Sequence, residues 1–208
     1  MQAPTGLLVT FEGIEGSGKS TQIELTRAYV EAQGYPCLVT KEPGGSPLGE
    51  EIRGFLLGRG DLRIDPLAEL FLIEAARAEH ISEVIRPALH DGRIILCDRY
   101  TDATIAYQGY ARGLDILVIT QMNQLATEGL MPHCTIVLDL PIEVGMARAK
   151  GEDRFEREEK KFHQQVRDGY LRIARQEPQR VKVVSAEGEQ SAIQREIQRI
   201  IRPLLDQK

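Results

Sequence analysis

Short apolar runs alternate along the chain with longer stretches in which apolar positions recur every three or four residues. The first run, Leu7–Glu12, reads LLVTFE, and four more follow at 37–40, 93–97, 135–140 and 181–184. Runs of four to six residues rich in Val, Ile and Leu predict buried β-strands. The helical spacing predicts helices at 20–33, 48–57, 115–127, 142–150, 155–177 and 191–205. A further helix starts after Asp65 and carries Leu67, Leu70, Phe71, Ile73, Glu74 and Arg77. The punctuation agrees with this pattern. Gly34 follows the first helix as a stop residue, and Asp65-Pro66 reads as a cap with Pro at the first helical position. Glu42-Pro43-Gly44-Gly45 must be a loop, because Pro lacks a donor and Gly resists regular structure. Strands alternating with helices predict an α/β fold, a five-stranded parallel sheet flanked by helices. No repeat or linker divides the chain, so 1–208 is expected to be a single domain.

Composition narrows the class. The chain has 208 residues, 26 basic against 31 acidic, and a net charge of −5. That balance argues against nucleic acid or an anionic membrane surface as a partner, since both call for a basic face. It leaves open a small anionic ligand, which depends on local charge alone. Cys37, Cys97 and Cys134 form no CxxC, and Cys97 and Cys134 lie in or beside apolar runs, as inert thiols of a reducing compartment do. No apolar stretch approaches the length of a membrane span, and the N-terminal residues lack a signal-peptide pattern. A cytoplasmic protein is expected.

Chemistry enters at Gly13-Ile14-Glu15-Gly16-Ser17-Gly18-Lys19-Ser20, followed by Thr21. This fits G-x-x-x-x-G-K-[ST] at every fixed position, between a predicted strand and a predicted helix. The glycines let backbone N–H groups turn inward around an anion, and the helix adds its positive dipole end. Lys19 reaches toward β- and γ-phosphates, and the Ser20 hydroxyl suits a Mg²⁺ shell. The loop predicts nucleoside triphosphate binding on a P-loop NTPase fold. It does not name a reaction.

Three further clusters do. They are Thr40-Lys41-Glu42-Pro43-Gly44-Gly45 with Arg53 on the next helix, Arg77 on the Pro66 helix, and Asp98-Arg99-Tyr100 followed by Thr104 and Tyr107-Gln108-Gly109-Tyr110-Ala111-Arg112-Gly113. In this order, with the phosphate loop, they resemble the thymidylate kinase family over nearly the whole chain. Members are P-loop nucleoside monophosphate kinases that convert dTMP to dTDP with ATP and Mg²⁺. The resemblance implies a homodimer, and apolar positions at 115–130 suit its interface. Two rivals share the loop: a deoxynucleoside kinase, and a nucleotide-sensing protein without turnover. EPGG with Arg53 favours an acceptor that already bears phosphate.

By similarity, Arg53 and Arg99 bind the acceptor phosphate, with Glu42 and Pro43 in the same loop. Arg77 and Gln108 select the base, Tyr107 stands by the sugar or base, and Thr104 supplies a hydroxyl. Glu15 looks toward the sugar 3′-hydroxyl, and Asp98 joins Ser20 at the metal. Some members carry a catalytic Arg inside the phosphate loop, where this chain has Gly16. The cation is therefore expected from a basic lid at about 148–158, with Arg148 and Arg154 foremost, then Lys150 and Arg157. Lys19, Arg99 and Arg154 are the expected catalytic cations. One departure concerns the base. Ile73 stands where the family has a stacking Phe, and Phe71 falls on another side of the helix. Either Ile73 gives an apolar contact instead, or the local register differs.

Overall fold

The computed structural model describes residues 6–58, 63–148 and 154–208. Five strands, β1 Leu7–Glu12, β2 Cys37–Lys41, β3 Ile94–Asp98, β4 Cys134–Asp139 and β5 Val181–Ser185, form one parallel sheet in the order β2-β3-β1-β4-β5. All five expected strands form, with ends shifted by a single residue. Helices α1 Lys19–Ala32, α2 Pro47–Leu57 and α3 Pro66–His80 precede β3. The local signals act as expected. Asp65 accepts from the Leu67 N–H at 2.9 Å, Ser46 from the Gly49 N–H at 3.1 Å, and Gly34 takes a φ of 87°.

Two helical stretches differ from the sequence pattern. Helix α3 runs on through a π-helical turn, Ile81–Ile85, into α4 Arg86–His90. Pro87 marks no break because it falls in the first turn of α4. After β3, α5 Thr101–Thr104 passes into a π-helical segment, Ile105–Ala111. Its Tyr and Gly residues are poor helix formers, but it packs on α8 at a close approach. A Cβ on Gly169 would lie 2.8 Å from the Tyr110 ring and 3.2 Å from Ala106 Cα. The remaining helices are α6 Ile116–Thr127, α7 Ile142–Arg148, α8 Lys160–Gln176 and α9 Gln190–Leu205. Helix α8 starts five residues later than expected, since 155–159 form turns whose side chains are committed to the cleft. The expected helix 142–150 is described to Arg148, and Lys150 with the centre of the lid lies outside the described residues.

β1 lies in the middle of the sheet. Connections run from it to β2 and β3 on one side, and later to β4 and β5 on the other. Ligands of such sheets bind beyond the carboxyl ends of the strands near the reversal. Parallel register puts Phe11 beside Asp98, so the phosphate loop and the Asp98-Arg99 pair leave the sheet side by side. Val9, Phe11, Ile94, Leu96, Ile136 and Leu138 fill the core between sheet and helices.

Glu12, the last residue of β1, ties this edge together. It is fully buried, accepts from the Tyr100 N–H at 2.7 Å and takes the Tyr170 hydroxyl at 2.7 Å. Burial, reinforced by the Asp102 charge, pushes its carboxyl up from 4.5 to about 8, against the pull of Tyr170 and Arg99. The folded protein therefore holds this proton more tightly than the unfolded chain does. Its stabilising contribution is full below about pH 4.5 and is lost as pH rises through 8. Glu12→Gln mimics the protonated form. Between about pH 5 and pH 8, urea denaturation should show the parent losing roughly 3 kcal/mol relative to this variant. Parallel pH profiles would contradict the buried neutral carboxyl.

Candidate active site

A cleft of about 720 Å³ opens at the carboxyl end of the sheet, within the size range of small-molecule sites. Its floor is the phosphate loop, residues 13–20. Gly13, Gly16 and Gly18 have φ of 139°, 71° and 89°, left-handed values that bend the loop into a cradle. Lys19 is buried and donates to the Gly13 and Ile14 carbonyls at 3.0 and 3.1 Å. Burial and the nearby Arg99 charge lower its pKa, against Glu15 and Asp98. Gly16 cannot carry the Arg that some relatives place there. A Cβ would collide with the Gly145 carbonyl of α7, and one on Gly145 would sit 2.7 Å from the Glu15 carbonyl. Two glycines thus seat α7 directly on the loop and bring Arg148 to it. Arg148 Nη1 lies 3.4 Å from the Gly16 carbonyl.

Arg99 follows β3 with a φ of 69°, unusual for a side chain with a Cβ. Its N–H donates to the Phe11 carbonyl at 2.9 Å, which clamps the strained residue beside β1. The guanidinium pairs with Glu15, donates to the Tyr107 hydroxyl at 2.8 Å, and lies 4.8 Å over the Tyr107 ring. Burial pushes the Glu15 carboxyl up, but Arg99 and Lys19 outweigh it and hold Glu15 at about 2. The Tyr107 ring packs edge-on to Phe155 and Tyr170, while its hydroxyl faces Glu15 at 3.3 Å.

Asp98 Oδ1 is buried without a hydrogen-bond partner, and Ser20 stands in the cleft wall below Asp98 in the chain order, at the head of α1. An orphaned carboxylate oxygen fits a hard cation, and Mg²⁺ needs few protein ligands when phosphates and water supply the rest. Among the described residues no group of three or more His, Cys, Asp or Glu gathers to hold a metal, in keeping with such a sparse site.

The far end of the cleft is lined by Ile73, Arg77, Tyr100, Ala103, Thr104 and Gln108. Ile73 faces it with 8% exposure, while Phe71 is 55% exposed, so Ile73 takes the apolar place and the register holds. Arg77, expected to select the base, lines the cleft and is held on every side. All five of its N–H donors are bound inside the protein: to Glu42 at 2.7 Å, Glu74 at 2.9 Å, Asn123 at 2.5 Å, the Tyr100 carbonyl at 3.1 Å and Thr104 at 3.0 Å. Thr104 Oγ1 accepts from Arg77. Glu42, 3% exposed, gives its second oxygen to His80 at 3.0 Å, so both of its oxygens are engaged inside the protein. The cis Glu42–Pro43 bond presents the Pro43 carbonyl to Arg53 Nη1 at 2.8 Å, and Arg53 lines the cleft. Arg154, expected at the donor phosphates, donates to Glu69 at 2.5 Å and to the Leu56 carbonyl at 3.1 Å and stacks 4.7 Å over Phe155. Glu12, Asn123, Glu69 and Phe155 escaped the sequence reading. No local spacing singles out a residue whose partner lies dozens of positions away.

The comparisons agree with this geometry. The family model described as thymidylate kinase matches residues 11–197. A thymidylate kinase of Syntrophotalea carbinolica is 52% identical over 189 residues, covering 86% of this chain and 88% of that protein. One of Symbiobacterium thermophilum is 47% identical over 204 residues, covering 97% of this chain and 95% of that protein. The crystal structure of thymidylate kinase from Ehrlichia chaffeensis superposes with a TM-score of 0.79 at 33% identity, covering 94% of this chain and 98% of that one. The phosphate loop, the Asp98-Arg99 pair beside it and these similarities over nearly the whole chain lead to one conclusion: this protein belongs to the thymidylate kinase family.

Proposed function

We propose that the chain transfers the γ-phosphoryl group of ATP to dTMP, giving dTDP and ADP on the route to dTTP. The observation that carries this reading is a cleft that joins the phosphate loop to a second set of cations and to an end wall of Ile73, Thr104 and Gln108. Residues 13–21 take the donor phosphates. Arg53 and Arg99 face the acceptor phosphate, and Ile73, Tyr107 and Gln108 enclose the nucleoside. Lys19 and Arg99 stabilise charge at the transferring group, where charge crowds most. The acceptor phosphate is already ionised, so no general base is required. Ser20 and Asp98 are the residues to hold Mg²⁺, which neutralises phosphate charge when bound. Glu15, ionised and beside Arg99, accepts from the sugar 3′-hydroxyl.

On the donor side Arg148, already at Gly16, is the lid cation nearest its work. Arg154 can reach the phosphates only by leaving Glu69, so its catalytic role requires lid movement. The reaction is expected in the cytoplasm, which suits three free thiols. Burial raises the pKa of Cys37 and Cys134 to about 11 and leaves them little nucleophilic thiolate. Among the described residues no helix is long and apolar enough to cross a membrane. A homodimer accounts for the exposed apolar side chains of two neighbouring helices, Leu67 and Phe71 on α3 and Leu117, Val118 and Leu125 on α6.

With ATP and Mg²⁺, an acceptor panel should show turnover of dTMP well above dUMP and dCMP and none of thymidine. Preference for thymidine would favour a deoxynucleoside kinase, and ATP binding without acceptor-dependent turnover a sensor. Lys19→Ala should cut kcat by about 100-fold or more with the fold intact by circular dichroism. Retained activity would remove Lys19 from the chemistry. In sedimentation, the parent should run as a dimer and Phe71→Glu/Leu125→Glu as a monomer. A monomeric parent would contradict the dimer.

A further inference from the structure

Gln108 is 1% exposed, yet it lines the cleft. Its Nε2 donates to Glu69 Oε1 at 2.7 Å. Glu69 is wholly buried on α3 and is held by two guanidinium groups. Arg154 donates to its Oε2 at 2.5 Å, and Arg112 reaches Oε1 at 3.4 Å and Oε2 at 3.5 Å. Arg112 in turn pairs with Glu158 at 2.6 Å and lies 4.6 Å over the Phe162 ring. Two guanidinium groups offset the cost of burying this carboxylate and occupy both of its oxygens.

A carboxyl group whose two oxygens both face guanidinium donors accepts hydrogen bonds and donates none. The Gln108 amide therefore has a single compatible orientation, with its NH₂ group on Glu69. Its amide oxygen is then the polar atom turned to the cleft. A side chain that could otherwise offer a donor or an acceptor is reduced to an acceptor.

We propose that Glu69 is a positioning residue for base selection, fixing the Gln108 amide so that the cleft presents an acceptor to the base edge. This inference rests on the kinase reading for its kinetic test and deepens it. A pyrimidine with a protonated ring nitrogen matches an acceptor. One whose ring nitrogen is itself an acceptor meets lone pair against lone pair and leaves buried polar groups unpaired, a strong basis for rejection. Thymine and uracil are of the first kind and cytosine of the second.

The test compares kcat/KM for dUMP and dCMP, which differ only at ring positions 3 and 4, in the parent and in Glu69→Gln. Glutamine keeps the shape of the side chain. With its oxygen on Arg154, its own NH₂ faces Gln108 and turns that amide over. The dUMP:dCMP ratio should fall about tenfold or more, with a lesser change in the KM for ATP. Gln108→Leu should lower the ratio similarly, and the double variant should lower it no further than Gln108→Leu alone. Equal losses on both acceptors, or multiplying effects on the ratio, would overturn the proposal and leave Glu69 a purely structural anchor. Should Glu69→Gln not fold, Glu69→Asp decides. It remains acceptor-only, so the ratio should hold while the acceptor KM rises, and a collapsed ratio would contradict the proposal. Failure of the kinase reading is separable, because the amide is also visible by NMR. The Gln108 side-chain NH₂ should be protected from hydrogen exchange in the parent and lose that protection in Glu69→Gln. Equal exchange in the two would overturn the proposal whatever the enzyme assays show.

Discussion

Like charges crowded into one cleft are the constraint on which the rest of this structure depends. Lys19, Arg53, Arg77 and Arg99 all line a cavity of about 720 Å³ in a chain whose net charge is −5. Left unpaired, buried cations at such spacing would repel one another and lose their hydration. The fold meets this with carboxylates set against the cations: Glu15 on Arg99, Glu42 and Glu74 on Arg77, and Glu69 on the lid arginine. The consequence appears in the ionisation of both partners. Glu15 is held at about 2 and Arg77 is raised above its ordinary value by Glu42 and Glu74 against burial, while burial and the Arg99 charge lower Lys19.

These pairings differ in what they leave for a ligand. Arg77 has every donor committed, so it contributes a fixed charge and a rigid wall. Arg99 and Lys19 are held by one carboxylate and by loop carbonyls, contacts that an arriving phosphate can replace. Arg154 is parked on Glu69 and must leave it to reach the donor. The cleft therefore combines a rigid base end with phosphate-facing cations that can change partners. Phosphoryl transfer needs both, a fixed acceptor and charge that closes around the moving group.

The division between what was legible in the sequence and what was not follows sequence distance. Strands announced themselves because buried parallel strands are short and continuously apolar, and the phosphate loop because its glycines and Lys19 are adjacent in the chain. The Asp98-Arg99 pair could be placed beside that loop because β3 and β1 are neighbours. The helix through Ile105–Ala111 could not be read, since packing against Gly169 on α8 and not local propensity forms it. The partners of Arg77, Glu42 and Arg154 were hidden for the same reason. A guanidinium in a motif looks available until Asn123, 46 residues away, or Glu69, 85 residues from Arg154, is found on it.

Glu15 takes, beside Arg99 and Lys19, the electrostatic place of a ligand's phosphate. Calorimetric titration with inorganic pyrophosphate tests it most directly, because this anion has no sugar or base to contact Glu15. Removing the carboxylate charge in Glu15→Gln frees Arg99 and Lys19 of their counter-charge. The account predicts that this variant binds pyrophosphate about tenfold more tightly than the parent, a difference of about 1.4 kcal/mol. Equal or weaker binding would show that Glu15 does not stand in for the anion, and would contradict the account.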